Sequence, residues 1–231
     1  CLTGKPFIFA VGADLSGVPF ITGRDMALEI GEAGHAQFRR LSDLGVPTFA
    51  FINGAAMGGG LEIALHCNYR TISTGAAAIA LPECFLGLVP GWGGTYLLPN
   101  LIGAKGAVEV IVKNAMNQNK MLKPAQVASL GIADAIFAPA DYLEQSLLWT
   151  ANVLNGDESV VRAEVDRDAG WDAAVASGRK FVAGKVGAAA PAPLRALDLI
   201  EMAKTASADE CFAAEDQALA DLIMSEELRS G

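Results

Sequence analysis

Thr48-Phe49-Ala50-Phe51-Ile52-Asn53-Gly54-Ala55-Ala56-Met57-Gly58-Gly59-Gly60-Leu61-Glu62-Ile63-Ala64-Leu65-His66 is the stretch on which the fold turns. Its first five residues form an apolar run of the kind that marks a strand covered on both faces. Asn53-Gly54 stops that strand. Met57-Gly58-Gly59-Gly60 then opens a helix over about 61–66 that is apolar apart from Glu62 and the terminal His66. The same alternation extends outward. Upstream, Phe7 to Val11 is another continuous apolar run, read as a buried strand that breaks at Gly12. A loop with Gly17, Pro19 and Gly23 follows it. Asp25 to Leu44 has helical spacing, with Met26, Ile30, Phe38 and Leu41 apolar and Arg39, Arg40 and Asp43 polar. Downstream, Tyr69 to Ser73 reads as a third strand, Ala78 to Leu81 as a short fourth, and Pro82 to Leu86 as a helical turn. Pro90 to Gly94 is a loop. Helices are expected around Lys105 to Val112 and over Pro124 to Leu130. Strand, loop and helix thus alternate through residue 140, which predicts an α/β fold. From Asp141 onward only helical patterns occur.

Composition narrows the function classes. Of 231 residues, 52% are apolar and 19% charged, the balance of a core-rich globular protein. A formal net charge of −9 argues against nucleic acid or an anionic membrane as the main partner. It leaves an anionic small ligand open, because local donors override net charge. No apolar run reaches the roughly 18 residues that span a bilayer. Cys1, Cys67, Cys84 and Cys211 are scattered, with no metal-binding spacing, and read as reduced thiols of a cytoplasmic protein. Gly91-Trp92-Gly93-Gly94 is not a dinucleotide fingerprint, and the sequence has no P-loop, H-E-x-x-H or G-x-S-x-G. His35 falls on a polar helix face. His66 and Cys67 are adjacent in sequence and so do not face each other as a catalytic pair.

The chemistry-bearing candidates are two carboxylates and two glycine turns. Glu62 sits in the most apolar helix of the chain, where desolvation raises a carboxyl pKa toward the range of a general acid or base. It fits equally well as a first-turn Glu that pairs with its own helix dipole. Glu83, between Leu81-Pro82 and Cys84-Phe85-Leu86, reads more readily as ordinary helix-start chemistry, although a second lone carboxylate in an apolar setting makes a pair. Gly58-Gly59-Gly60 places bare amides at a helix N-terminus, and Gly12-Ala13-Asp14 forms a sharp strand exit. Both suit a developing oxyanion, and both suit tight turns.

Taken in order, these blocks resemble the crotonase (enoyl-CoA hydratase/isomerase) superfamily. Phe9-Ala10-Val11-Gly12-Ala13-Asp14-Leu15 is similar to its strand-to-loop motif, and Asn53 to Glu62 to its glycine-rich helix start. Leu81-Pro82-Glu83 through Gly93-Gly94-Thr95 is similar to its second catalytic segment, and Pro124 to Asp134 to a later helix and strand. The resemblance covers about residues 5–140 and is nearest to the hydratase portion of multifunctional fatty-acid oxidation α-subunits. It implies a ββα superhelix followed by a helical C-terminal region. It implies that Ala13 and Gly59 donate N–H bonds to a thioester oxygen and that Glu62 and Glu83 activate water and move the proton. Asp14, Gly58, Gly91 and Trp92 are expected in the substrate pocket. The implied activity is hydration of trans-2-enoyl-CoA in β-oxidation. Isomerisation of 3-enoyl-CoA in the same pocket and a non-catalytic assembly piece are the alternatives.

The family usually has two further strands and a helix before the Gly12-Ala13-Asp14 turn, so sequence is expected upstream of Cys1. A crotonase-like domain is expected over 1–187. A helical linker over 188–231, apart from the core, is expected to lead toward a 3-hydroxyacyl-CoA dehydrogenase domain. In that linker, Leu197, Ile200 and Met202 mark one helix. Ser207-Ala208-Asp209-Glu210 reads as a capping box for a second, with Phe212, Leu219, Leu222 and Ile223 on one stripe. No cofactor is expected within this chain, NAD belonging only to the dehydrogenase. The expected partners are acyl-CoA and either further copies of the chain or a thiolase-containing complex.

Overall fold

The computed structural model describes residues 1–186, 190–225 and 228. Successive strands alternate between two parallel sheets. β1 (Leu2–Thr3), β3 (Phe49–Ile52), β5 (Tyr69–Ser73) and β7 (Ala135–Phe137) form one sheet in that order; β2 (Ile8–Val11), β4 (Ala55–Met57) and β6 (Ile79–Ala80) form the other. The stop at Asn53-Gly54 is where the chain steps from the first sheet to the second. β3, β4 and the helix α2 (Gly59–Leu65) are one ββα unit. β4 is invisible to a propensity reading, because Ala55-Ala56-Met57 carries no strand signal. It forms by pairing with β2 on one side and β6 on the other, an override of local preference by tertiary pairing.

β3 is buried along its whole length, as its apolar run predicts. β2 departs from expectation: only Phe9 is buried, whereas Phe7 is 85% exposed and Ile8 and Val11 about half exposed. β2 is an edge strand of the three-stranded sheet, with β4 as its strand partner among the described residues.

Helices wrap the sheets: α1 (Arg24–Ser42), α3 (Gly94–Ala107), α4 (Pro124–Ser129), α5 (Tyr142–Asn155), α6 (Ala169–Lys185), α7 (Pro191–Met202) and α8 (Ala208–Ile223). α3 starts well before the expected Lys105. Its opening glycines and internal Pro99 hide it from periodicity, and it kinks at Gly103, where φ is +79°. It continues into wider π-type turns over Val108–Asn114. On the outer face of the four-stranded sheet, Phe49 and Phe51 pack with Tyr142 and Trp149 of α5. Among the described residues, no helix is long and apolar enough to cross a membrane.

The tail does not stand apart from the core. Ala196, Leu197 and Ile200 of α7 are completely buried against α3 and α6, and the Trp171 indole donates to the Ile200 carbonyl at 3.0 Å. α8 lies along α1, with its predicted stripe of Phe212, Leu219, Leu222 and Ile223 buried. The capping box is present: Ser207 Oγ accepts from the Glu210 amide at 3.3 Å and Glu210 Oε2 accepts from the Ser207 amide at 2.9 Å. An apolar stripe must bury against something, and here α1 and α3 supply the surface. The expected boundary at 187/188 lies outside the described residues.

Candidate active site

The site begins with strand pairing. Val11 and Met57 are partners in the β2–β4 ladder, so the two chains leave the sheet side by side. Gly12 follows Val11 with φ +56°, and Gly58 follows Met57 with φ +55°, backbone that favours glycine. A Cβ on Gly58 would stand 3.7 Å from Gly12 Cα. The amides that follow these turns belong to Ala13 and Gly59. That of Gly59 heads α2, where the first amides have no intrahelical acceptor.

A cavity of 540 Å³ opens on these turns. Ala13, Asp14, Gly58, Gly59, Glu62, Glu83, Gly91 and Trp92, the residues singled out from the sequence, all line it. Val18, Ile21, Met26, Ile30, Leu219 and Ile223 add an apolar wall, part of it from the tail helix α8. A larger groove of 690 Å³ runs between α3, α4 and residues 158–166. It contains none of the candidate residues, and its Asp134 carboxylate is satisfied by the Arg70 amide and the Arg162 guanidinium. Volume is therefore a poor guide here, and the carboxylates decide.

Glu62 is 1% exposed. Its Oε1 accepts from the amides of Trp92 at 2.8 Å and Gly94 at 2.9 Å. The carboxylate thus reaches across to the N-terminus of α3 and does not pair with the dipole of its own helix. Burial, and after it the charge of Glu215, raise its pKa to about 7 against the pull of the two amides. Glu83 lies on a single 3-10 turn, Glu83–Phe85. Its Oε2 is shut off from solvent and has no hydrogen-bond partner among the described residues. Burial, and then the charge of Glu62, hold its pKa well above the usual carboxyl range. The two carboxyls flank one peptide: a Cβ on Gly58 would meet Glu83 Oε1 at 2.6 Å, and one on Gly59 would meet Glu62 Oε2 at 3.9 Å. Two carboxyls with differently perturbed pKa values beside the Ala13 and Gly59 turn amides are groups of the kind that can serve as acid and base next to an anion.

The remaining candidates have more structural parts. Asp14 caps the 3-10 turn Leu15–Phe20, its Oδ1 accepting from the Ser16 amide at 2.9 Å, and the Ser16 side chain, with that amide after it, lowers its pKa. The Trp92 indole lies over Gly59, where a Cβ would meet Cζ3 at 2.6 Å, and packs edge-on against Phe38. Gly91 leaves room for Leu219 of α8, which would stand 2.5 Å from a Cβ there. His66 Nε2 donates to the Trp92 carbonyl at 2.9 Å, and burial lowers its pKa. Cys67 Sγ turns instead to the Ile63 carbonyl, so the two do not pair.

The helical spacing puts His35 on a polar face, but it is 5% exposed. Its Nδ1 bonds Asp216 Oδ1 at 2.6 Å and its Nε2 bonds Glu215 Oε2 at 3.0 Å. Burial disfavours the imidazolium, but the bonds to Asp216 and Glu215 outweigh it and raise the pKa to about 9. Glu215 is wholly buried and also accepts from the Gly93 amide at 2.6 Å and the Thr95 amide at 2.7 Å. Neither acid was foreseen. The available signal was that Glu215 falls on the Phe212/Leu219 stripe, where an apolar residue belongs.

Known proteins are similar to this chain in sequence and fold. The chain is 29% identical over 236 residues to the fatty acid oxidation complex subunit alpha of Shewanella frigidimarina, covering 98% of this chain and 32% of that protein. The chain therefore spans about a third of the length of such relatives. Pseudomonas aeruginosa DspI superposes with a TM-score of 0.57 at 30% identity, covering 82% of this chain and 69% of the other. The human mitochondrial delta3-delta2-enoyl-CoA isomerase superposes with a TM-score of 0.62 over 98% of this chain and 73% of its own, and at 20% identity it shares the fold alone. The family model for enoyl-CoA hydratase/isomerase matches residues 1–174. With its strands alternating between two parallel sheets and its helical flank, this chain has the crotonase fold and belongs to the enoyl-CoA hydratase/isomerase family.

Proposed function

We propose that this chain adds water to trans-2-enoyl-CoA to give 3-hydroxyacyl-CoA. The observation that carries the reading is the pair Glu62 and Glu83, two buried carboxyls facing one cavity beside the Ala13 and Gly59 turns. In this reading the thioester oxygen sits between the amides of Ala13 and Gly59. Water bonds to C3, and the C2–C3 π electrons move toward the thioester as an enolate. The Ala13 and Gly59 amides stabilise the charge that builds on the oxygen, each worth about 3 kcal/mol by analogy with other oxyanion donors. Glu62, positioned by the Trp92 and Gly94 amides that bond its Oε1, takes in its ionised form the proton from the attacking water. Glu83, held protonated by burial and by its neighbour's charge, gives its proton to C2. The apolar wall from Val18 to Ile30 suits the acyl chain and keeps bulk water away.

The wider setting follows from the relatives. Proteins named as fatty acid oxidation complex α-subunits match almost the whole chain and are about three times its length. We place the reaction in fatty-acid oxidation, within a longer polypeptide whose dehydrogenase domain oxidises the hydroxyl product with NAD. The reading frame downstream of Gly231 checks that context, and a frame with no dinucleotide fingerprint removes it. The activity itself is tested by supplying 2-enoyl and 3-enoyl thioesters separately. Consumption of the 2-enoyl substrate to a hydroxyacyl product supports hydration. Conversion of the 3-enoyl substrate alone replaces it with isomerisation.

A further inference from the structure

We propose that Glu215, from the tail helix α8, is a positioning residue for Glu62. This rests on the reading of Glu62 as the group that activates water.

Four consecutive amides at the start of α3 are divided between two buried carboxylates. Trp92 and Gly94 donate to Glu62 Oε1; Gly93 and Thr95 donate to Glu215 Oε2 and Oε1. Thr95 Oγ1 adds a further bond to Glu215 Oε1. The alternation requires a turn in which successive N–H groups point opposite ways, and Gly93 supplies it with φ +106°. Each carboxylate therefore sets the orientation of the amides that hold the other. If Glu215 releases Gly93 and Thr95, the peptide planes between them are free to rotate, and the donors to Glu62 rotate with them.

Glu215 is itself held. It is completely buried, and its charge is balanced by His35 of α1, whose other nitrogen is bonded to Asp216. α1 and α8 meet closely here, because Gly31 of α1 leaves the space into which Asp216 Oδ1 projects, 2.8 Å from where a Cβ would stand. Surface pairs tie the same two helices: Arg24 with Asp221 at 2.6 Å, and Arg39 with Asp209. α8 lies beyond residues 1–174, the segment that the family model matches. The tail thus completes the support of a carboxylate that the preceding segment carries.

The test is Glu215→Gln in the full chain. Glutamine keeps the length but offers one carbonyl, so its NH2 faces either the Gly93 or the Thr95 amide, donor against donor. Circular dichroism establishes that the variant folds. With 2-enoyl-CoA, kcat is expected to fall between about tenfold and 10²-fold with KM little changed, since the substrate touches neither Gly93 nor Thr95 in this reading. The double variant Glu62→Gln/Glu215→Gln is expected to be no slower than Glu62→Gln alone, because Glu215 acts through Glu62. A residue with only a structural role would lower the unfolding temperature and leave kcat per folded molecule intact, or give additive losses; either result overturns the proposal. A readout independent of turnover is the amide proton resonances of Trp92 and Gly94, shifted downfield by their bond to a carboxylate. They are expected to move in Glu215→Gln, and unmoved resonances overturn the proposal whatever the assay shows. Wild-type protein that hydrates no enoyl thioester sinks the reading of the function instead, and the resonances still decide the positioning.

Discussion

Replacing Glu62 by Gln should disable the enzyme and stabilise the protein, and the second effect should depend on pH in a defined way. The glutamine carbonyl can occupy the place of Oε1 and keep the bonds from the Trp92 and Gly94 amides, so the local fold survives. What disappears is an ionisable group in a site that disfavours its charge. The carboxyl pKa rises from 4.5 to about 7 on folding. Below pH 4.5 both folded and unfolded chains hold the proton, and the site costs nothing. Between 4.5 and about 7 the unfolded chain ionises first, so native stability falls as pH rises. Above about 7 the cost is complete, on the order of 3 kcal/mol at 1.36 kcal/mol per tenfold change in proton affinity. Glutamine does not pay it. Urea unfolding of wild type and Glu62→Gln at pH 5 and pH 8 should therefore show a small difference at the lower pH and a larger gain for the variant at the higher. Hydration of 2-enoyl-CoA by the same variant should fall by about 10²–10⁴-fold, the usual contribution of a positioned acid or base. A variant that is less stable than wild type at both pH values would refute the buried-charge argument. Near wild-type turnover would remove Glu62 from the chemistry.

Three further outcomes are expected. Glu83→Gln should lower hydration by about 10²–10⁴-fold with native circular dichroism, and an active variant would leave the proton at C2 without a donor. Gly58→Ala should destabilise by roughly 1–3 kcal/mol in thermal unfolding because of its positive φ. It should also lose turnover, because its Cβ would meet Glu83 Oε1 at 2.6 Å; normal activity would show that Glu83 has room to move. His35→Gln should cost stability below pH 6.5, where wild-type His35 holds its native ion pairs, and the wild-type advantage should fade as pH rises through about 9. A stability difference between His35→Gln and wild type that does not change from pH 6 to pH 9.5 would show that the imidazole is neutral.

Local signals located much of this molecule. The buried strand β3, the glycine-opened helix α2 and the capping box of α8 each announce themselves within a few residues, by an apolar run, a glycine cluster or a Ser-to-Glu spacing. The carboxylates and glycine turns of the cavity drew notice in the same way, but their roles, and Asp14, Gly91 and Trp92 as lining, came only from the family resemblance. What escaped the reading depends on contacts distant in sequence. β4 is a strand only because β2 and β6 flank it. α3 is obscured by Pro99 and by glycines that serve the site and not the helix.

Periodicity alone does not say where the tail packs. An amphipathic stripe says that a face must be buried but not against what, and the Ala/Pro stretch before it suggested a surface elsewhere. In the structure the stripe closes over α1 and α3. The residues that break its pattern then carry the information. Ala27, Gly31 and His35 recur every four residues on the buried face of α1, two small residues followed by one that ionises. Glu215 interrupts the facing stripe of α8 between Phe212 and Leu219. A polar residue buried on one helix is a cost, whereas two of opposite charge on helices that must meet are mutually specifying. Removing one takes a buried bond from the other, so the His35–Glu215 pair adds a specific polar contact to the apolar docking of α8. Because Glu215 also holds the amides beside those of Glu62, the same constraint that docks the tail sets the geometry of the carboxylate on which the proposed chemistry depends.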